Sequence, residues 1–338
     1  MMGAMKPCRT IFAVLGFAVA AGVLALTSPA QWQPTADQVL TDMGLFGDDK
    51  QRVLNGEFVS AEIGAVSERD LAVSLAFLVK TSPEALSKQI VAGELVTADS
   101  QVQAYGRFSS PGSLADLAGL RITSGEAQTL SNARAGEALN LSSAEIAAFN
   151  ALKGGTPQDV QQRLQQMLLA RYQAYRASGL GGIVPYDRGG GSTMDLAGEL
   201  RKASQAARGL EKYLPAFQAV LLGFPQATLP AMRQNFYWAK YNIQGKPTYV
   251  LTHILAASDG AARAVVQRQY YVSTGYNAEQ AVAGFLPVQG GTVVVYASHA
   301  FTDQVAGFGG SLKRGIGSRI MADKMKQMFE AGRKRVKG

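Results

Sequence analysis

The sequence predicts an α+β protein with an antiparallel sheet, a large central helical insertion and a long C-terminal helix. Three observations lead to this prediction. Residues 56–80 and the chain after Pro247 are rich in β-branched and aromatic residues, which favour strands. Between about residues 114 and 223, apolar residues recur instead at helical spacing. The last apolar residues before the C terminus fall on one face of a helix.

Length and composition fit a globular protein. The chain has 338 residues, of which 47% are hydrophobic and 17% are charged. This composition provides enough apolar side chains for a substantial core and argues against a largely disordered chain. We expect a single α+β domain over residues 56–338, with the helical insertion at about 114–223.

The first thirty residues have the pattern of an export signal. Lys6 and Arg9 precede an uncharged apolar run from Ile11 to Leu26, and small residues follow up to Ala30 at the spacing that signal peptidases recognise. The pattern predicts a signal peptide over residues 1–30 and a periplasmic or secreted protein. An uncleaved segment that anchors the protein in the inner membrane is the first alternative, and a buried core helix is the second.

Cysteine usage limits how the fold is stabilised. Cys8 is the single cysteine, and it precedes the apolar run. A chain cleaved after Ala30 would contain no cysteine, which excludes disulfides, cysteine nucleophiles and thiolate metal sites. A bacterial envelope protein therefore fits the sequence better than a disulfide-rich secreted module.

Positive charge is concentrated at the C terminus. The net charge is +8, and the segment from Lys313 onwards has nine basic residues against Asp323 and Glu330. The rest of the chain is almost neutral, so nucleic-acid binding loses its main support. The tail predicts an anionic membrane surface as a partner, since a basic residue near anionic headgroups contributes about 1 kcal/mol. A frayed, solubilising terminus is the alternative.

The N-terminal part of the domain is predicted to contain few elements. Residues 31–55 are rich in glycine, proline and aspartate, which predicts a linker with one or two helical turns. Two paired strands are expected over Phe58–Ile63 and Leu71–Val79. Ser82 is then a suitable N-cap for a short helix that ends near Gly93.

The central insertion is predicted to contain three helices. Ser142 begins the first, because its spacing to Glu145 is that of a capping box. Thr156 begins a longer helix whose apolar stripe stops before Gly179. After a glycine-rich break, the apolar residues of 196–214 recur at alternating spacings of four and three, which predicts a third helix.

Strands return in the last part of the chain, before a final helix. They are predicted over Thr248–Ala256, Ala264–Ser273 and Gly290–Phe301, and the first two are joined as a hairpin by a turn at 259–260. The apolar residues of the final helix lie on one face. They are Met321, Met325, Met328 and Phe329.

This order of elements resembles the helix-grip architecture of START-like proteins, the SRPBCC group. The likeness lies in Leu71–Ile90 and Pro247–Phe329, with the helical segment between them as an insertion. The resemblance implies a cavity between a curved sheet and the long helix, which such proteins commonly use for lipids or other apolar ligands. Fold alone does not decide function.

The chain also resembles an uncharacterised family of exported bacterial proteins, for which no reaction is known. The shared features are Phe236-Tyr237-Trp238, Lys246-Pro247, Thr252-His253 and a glycine-rich turn before the last helix.

Five residues are predicted to line the cavity and bind a ligand: Trp238, His253, Arg268, Tyr270 and His299. Both histidines lie in predicted strands, with one strand expected between theirs. Arg268 and Tyr270 share a strand face, and an internal Arg268 would need an anionic partner from the protein or the ligand. Core packing for the aromatic residues, a solvated face for Arg268 and structural hydrogen bonding for the histidines are the alternatives.

No cofactor and no metal are predicted, because neither histidine belongs to a metal-binding motif and the common hydrolase motifs are absent. The sequence therefore predicts a non-enzymatic exported protein that binds an apolar or amphiphilic ligand, such as a lipid. Two other functions stay open. One is an enzyme that uses His253 or His299, and the other is an envelope protein that contacts the membrane through its basic tail.

Overall fold

An eight-stranded antiparallel sheet is the largest element of the fold. The computed structural model describes residues 35–61, 63–93, 99–259, 262–307 and 309–336. The strands in these ranges are β1 (Val59–Ala61), β2 (Asp70–Val79), β3 (Val102–Arg107), β4 (Tyr186–Gly189), β5 (Ser192–Met194), β6 (Arg233–Ile243), β7 (Lys246–Asp259), β8 (Ala262–Val272), β9 (Ala278–Val288) and β10 (Gly291–Phe301). β4 and β5 form a separate hairpin, and the other strands lie in the order β1-β2-β10-β9-β8-β7-β6-β3.

Helices cover both faces of this sheet. They are α1 (Ala36–Asp42), α2 (Asp48–Leu54), α3 (Pro83–Val91), α4 (Ser124–Ser131), α5 (Ser143–Asn150), α6 (Pro157–Ser178), α7 (Leu196–Ala206), α8 (Arg208–Tyr213), α9 (Pro215–Gly223) and α10 (Gly310–Val336). The fold is thus a mixed α+β fold with a large antiparallel sheet, as the sequence predicts.

The two faces of the sheet have different coverings. One face packs against α1, α2 and the helices α4 to α9, whose apolar side chains continue into the core. The opposite face packs against α3 and α10. We refer to the first as the filled face and to the second as the cavity face.

The sheet joins distant parts of the chain. β2 pairs with β10, so that Ala76 lies opposite Val295, and β3 pairs with β6 on the other side of the helical segment. The helices α4 to α9 are therefore inserted between two neighbouring strands of the sheet.

Sequence signals for helix starts are confirmed. Ser82, Ser142 and Thr156 are the N-caps of α3, α5 and α6, and each hydroxyl accepts a hydrogen bond from the backbone N–H of the third helical residue. These signals are local, which explains why they can be read without the rest of the fold.

Residues 36–54, for which the sequence predicts a linker with one or two helical turns, form the two short helices α1 and α2. Val39, Leu40 and Val53 of these helices are buried in one cluster with Val293 of the sheet. The helices are short, and it is packing on the sheet that stabilises them. The expected signal peptide at residues 1–30 and Cys8 lie outside the described residues.

Other elements differ from the sequence expectations. β6 and β9 were not expected as strands, and β9 contains Gly284 and Pro287, which are both unfavourable in strand interiors. As a result two strands, β8 and β9, separate the strands of His253 and His299, whereas the sequence predicts one. The helix predicted over 196–214 is divided into α7 and α8 at Ala207.

A glycine allows α10 to approach the sheet closely. A Cβ atom added at Gly317 would lie 2.7 Å from Cδ2 of Leu71 in β2, closer than van der Waals contact allows. A Cβ added at Gly315, in the same helix, would meet nothing within 4 Å. The same substitution at both positions changes helix propensity equally, so a difference between the two variants reports the packing contact at Gly317.

We expect Gly317→Val to lower the free energy of unfolding by about 1 kcal/mol relative to Gly315→Val, because only the first side chain must displace the terminal methyl group of Leu71. Urea denaturation of both variants measures the difference. Equal stabilities of the two variants would contradict the close approach of α10 to β2.

Candidate functional site

A cavity of about 870 Å³ lies between the cavity face of the sheet and the helices α3 and α10. Gln267, Ala281 and Tyr296 line it from the sheet, Ile90 lines it from α3, and Met321 lines it from α10. The volume falls within the range of about 300–1,000 Å³ that is typical of small-molecule sites.

The part of the cavity near the start of α3 is apolar. Its lining includes Phe77, Val265, Phe285 and Val294 from the sheet and Leu86 from α3. Hydrocarbon side chains of this kind favour an apolar ligand, because they offer no hydrogen bonds in exchange for those that a polar ligand would lose to water. An alkyl chain is the simplest ligand that fits this part.

The other end of the cavity is polar. Glu279 of β9 lies opposite Gln269 of β8, and both line the cavity. The hydroxyl of Ser298 donates a hydrogen bond to Glu279 Oε1 at 2.7 Å, and the hydroxyl of Tyr276 donates one to Gln269 Oε1. Burial raises the pKa of the Glu279 carboxyl, and the hydrogen bond from Ser298 offsets part of this shift.

None of the five residues that the sequence predicts as ligand-binding lines this cavity. Trp238, His253, Arg268, Tyr270 and His299 are all buried, and they lie on the filled face of the sheet. The structure thus places all five on the face of the sheet opposite to this cavity. Neighbouring residues of a strand point to opposite faces, so the cavity is lined instead by residues such as Gln267 and Gln269, on either side of Arg268.

The two aromatic residues of this set belong to the core beneath the insertion. The indole Nε1 of Trp238 donates a hydrogen bond to the carbonyl oxygen of Asp116 at 2.8 Å. Tyr270 stacks on Tyr175 of α6 with ring centroids 3.9 Å apart. Both rings therefore attach the helical insertion to the sheet.

Arg268 is a buried cation whose hydrogen-bond acceptors are neutral. Its Nε donates to Gln280 Oε1 at 2.9 Å, and its Nη1 donates to the Tyr175 hydroxyl at 3.2 Å. Its Nη2 donates to Ser204 Oγ at 3.0 Å and to the carbonyl oxygen of Leu221 at 2.9 Å. Within the described ranges no carboxylate pairs with it, so the anionic partner that the sequence led us to expect is replaced by neutral oxygens.

His253 completes this cluster as a neutral ring. Tyr175 accepts a hydrogen bond from Arg268, so its own hydroxyl proton is free to go to His253 Nδ1, 3.0 Å away. The Nε2–H of His253 then donates to Gln234 Oε1 at 2.9 Å. Burial lowers the pKa of His253 well below its usual 6.5, and the positive charge of Arg268 lowers it further.

His299 forms a separate pair with an acid. Its Nδ1 lies 2.7 Å from Oδ2 of Asp70, which also accepts a hydrogen bond from the backbone N–H of Val66 at 2.8 Å. Since β8 and β9 lie between the two histidine strands, His253 and His299 belong to different clusters.

The described residues contain no group of three or more histidine, cysteine, aspartate or glutamate side chains placed to hold a metal ion. In the same ranges, every helix is too short or too polar to cross a membrane. The side chains of Met328 and Phe329 and those of the basic tail from residue 331 onwards lie outside the described part, and so does the lipid contact predicted for that tail.

No protein-family model, no curated protein and no solved structure matches this chain. The cavity and its lining are therefore the basis for a functional interpretation.

The sequence alone does not indicate the residues at the polar end of the cavity. Glu279 lies in β9, which was not predicted as a strand, so it could not be placed beside Gln269. One sequence pattern does point to them: side chains alternate between the two faces along β8, so the polar residues Gln267 and Gln269 lie on the face opposite to Arg268. A glutamine pair on a strand that is covered on both faces indicates a polar cavity wall.

We expect Arg268→Ala to lower the free energy of unfolding by about 3–5 kcal/mol, because it leaves a void and removes the donor from several buried acceptors. Chemical denaturation measures this loss. Arg201→Ala changes an exposed arginine of α7 and is the control, with an expected effect within about 0.5 kcal/mol. Equal effects of the two substitutions would contradict the anchoring role of Arg268.

The depressed pKa of His253 predicts a loss of stability in acid. The unfolded chain takes up a proton near pH 6.5 while the folded chain does not, so the free energy of unfolding falls as the pH decreases below 6.5. The contribution of His253 reaches about 1.4 kcal/mol per pH unit. His253→Asn should remove it, as measured by denaturation at a series of pH values, and identical slopes for both proteins would show that His253 titrates normally.

Proposed function

We propose that this protein is a non-enzymatic binding protein for an apolar or amphiphilic small molecule, such as a lipid, that occupies the cavity between the sheet and α10. The observation that supports this function is a cavity with an apolar lining at one end and a polar lining at the other. An amphiphile has the same division into a chain and a head group.

The arrangement of elements supports a helix-grip relationship within this proposal. β1, β2 and the short helix α3 precede the other strands of the sheet, and the long α10 follows the last strand. The cavity lies between the sheet and α10, where the START-like resemblance implies one. The helices α4 to α9 cover the opposite face, so the insertion leaves this space open.

An apolar chain gains enough from burial to explain binding. Each methylene that leaves water contributes about 0.8 kcal/mol, so a chain of moderate length offsets the cost of association without any specific polar contact. The apolar wall formed by Phe77, Phe285 and Leu86 is the surface against which such a chain would pack.

The lining favours binding over catalysis. Among the described residues that line the cavity there is no histidine, cysteine or serine. His253 and Arg268, on which the enzyme hypothesis was based, are buried on the filled face with hydrogen-bond partners of their own. The cavity therefore offers no histidine within its described lining as a general base.

The proposed site of action follows from the N-terminal pattern. A signal peptide over residues 1–30 would deliver the protein to the periplasm or the exterior, and an uncleaved anchor would hold it at the inner membrane. In either place a lipid or another apolar molecule needs a protein to shield it from water.

A cavity-filling substitution tests this function. Ala283 lines the cavity in the middle of β9, so Ala283→Trp should occupy the space of the ligand, whereas Ala151→Trp adds the same ring to an exposed position after α5. We expect Ala283→Trp to weaken the binding of the apolar fluorophore nile red at least about tenfold, a change of 1.4 kcal/mol. Fluorescence titration measures the affinity, with Ala151→Trp expected to bind as the unsubstituted protein does.

Native mass spectrometry of gently purified protein complements this titration by detecting a ligand carried over from the cells. The proposal fails if the unsubstituted protein does not bind nile red, or if both tryptophan variants bind it as the unsubstituted protein does.

A further inference from the structure

Negative charge is in excess at the polar end of the cavity. Asp99 and Glu279 both line this end, whereas the one basic residue of the described lining, Lys80, lies at the opposite end beside Val79. A ligand that spans the cavity would therefore meet two acids at the polar end.

Glu279 is a half-buried acid with few hydrogen-bond partners among the described residues. In the described part of the chain, Ser298 is the residue that hydrogen-bonds to it, through Oε1 at 2.7 Å. No lysine or arginine of that part forms an ion pair with it. A carboxylate in a cavity is costly without a compensating positive charge, and a cationic ligand would supply one.

Three tyrosines line the same cavity as this carboxylate: Tyr241, Tyr276 and Tyr296. Tyr276 donates its hydroxyl hydrogen bond to Gln269, the strand neighbour of Glu279, and Tyr296 lies two residues before Ser298 on the same face of β10. Burial raises the pKa values of all three tyrosines, and the negative charge of Glu279 adds to each shift. They reach the cavity from β6, from the turn before β9 and from β10. Aromatic faces carry partial negative charge and attract organic cations, most strongly where water is excluded.

We propose that the polar end of the cavity binds the cationic nitrogen of an amphiphile, an amine or a quaternary ammonium group, with Glu279 as its counter-ion and the three tyrosines as its aromatic walls. This inference rests on the proposed function, because it assigns the head group of the same ligand. The apolar chain extends from there towards Phe285 and Leu86.

Three decyl compounds that differ in their head group test the assignment. They are decyltrimethylammonium, decanol and decyl sulfate, each used below its critical micelle concentration and measured by isothermal titration calorimetry. The net charge of +8 favours decyl sulfate in any non-specific association, so a preference for the cation would run against the overall charge of the protein.

Glu279→Gln is the deciding variant. The amide keeps an oxygen that can accept the hydrogen bond of Ser298, but it removes the negative charge. We expect this variant to lose affinity for decyltrimethylammonium by about tenfold or more, because an interaction between a desolvated charge pair is lost. Its affinity for decanol should stay within about twofold, and Glu137→Gln, an exposed change outside the cavity, should alter neither affinity.

The possible results separate this inference from the proposed function. If none of the three compounds binds, or if Ala283→Trp binds them as well as the unsubstituted protein, the cavity is not a ligand site and both proposals fail. If decanol binds and Ala283→Trp abolishes its binding, the binding function stands. The head-group assignment is then overturned when the unsubstituted protein does not prefer the cation or when Glu279→Gln leaves that preference unchanged.

Discussion

One buried guanidinium group connects three helices of the insertion to the sheet. Arg268 donates hydrogen bonds to α6, α7, α9 and β9, so each of these elements supplies part of its solvation. A cation without a carboxylate partner is stable in a core only when such neutral acceptors surround it together. Each helix that contacts Arg268 must therefore keep its hydrogen-bond acceptor at the same guanidinium group. This fixes the helices relative to one another and makes the filled face a continuous core.

The two faces of the sheet differ accordingly. The filled face provides a rigid support in which His253, Tyr175 and Tyr270 are locked by stacking and hydrogen bonds. In the described part of the chain α3 and α10 cover the cavity face, which keeps a space that side chains do not fill. The polar residues that stand out in the sequence, such as His253 and Arg268, belong to the filled face. Gln269 and Glu279, which do not stand out, line the cavity.

The sequence was informative where structure is local and uninformative where it depends on the far side of a sheet. The N-caps Ser82, Ser142 and Thr156 could be predicted because each acts within one helical turn. Alternation along β8 correctly groups Arg268 with Tyr270, but it does not reveal which of two buried faces encloses a cavity. β9 could not be predicted as a strand because its alanines, glycine and proline have low strand propensity. The position of Glu279 in the sheet could therefore not be predicted either.

The pairing of β2 with β10 sets an order for the folding of the molecule as its chain emerges from the N terminus to the C terminus. The insertion consists largely of helices with contacts between nearby residues, so it can condense before the later strands are present. The sheet cannot close until β10 pairs with β2, and α10 follows later still. The cavity between the sheet and α10 is therefore the last part of the fold to close, and until then its apolar wall is open to aggregation.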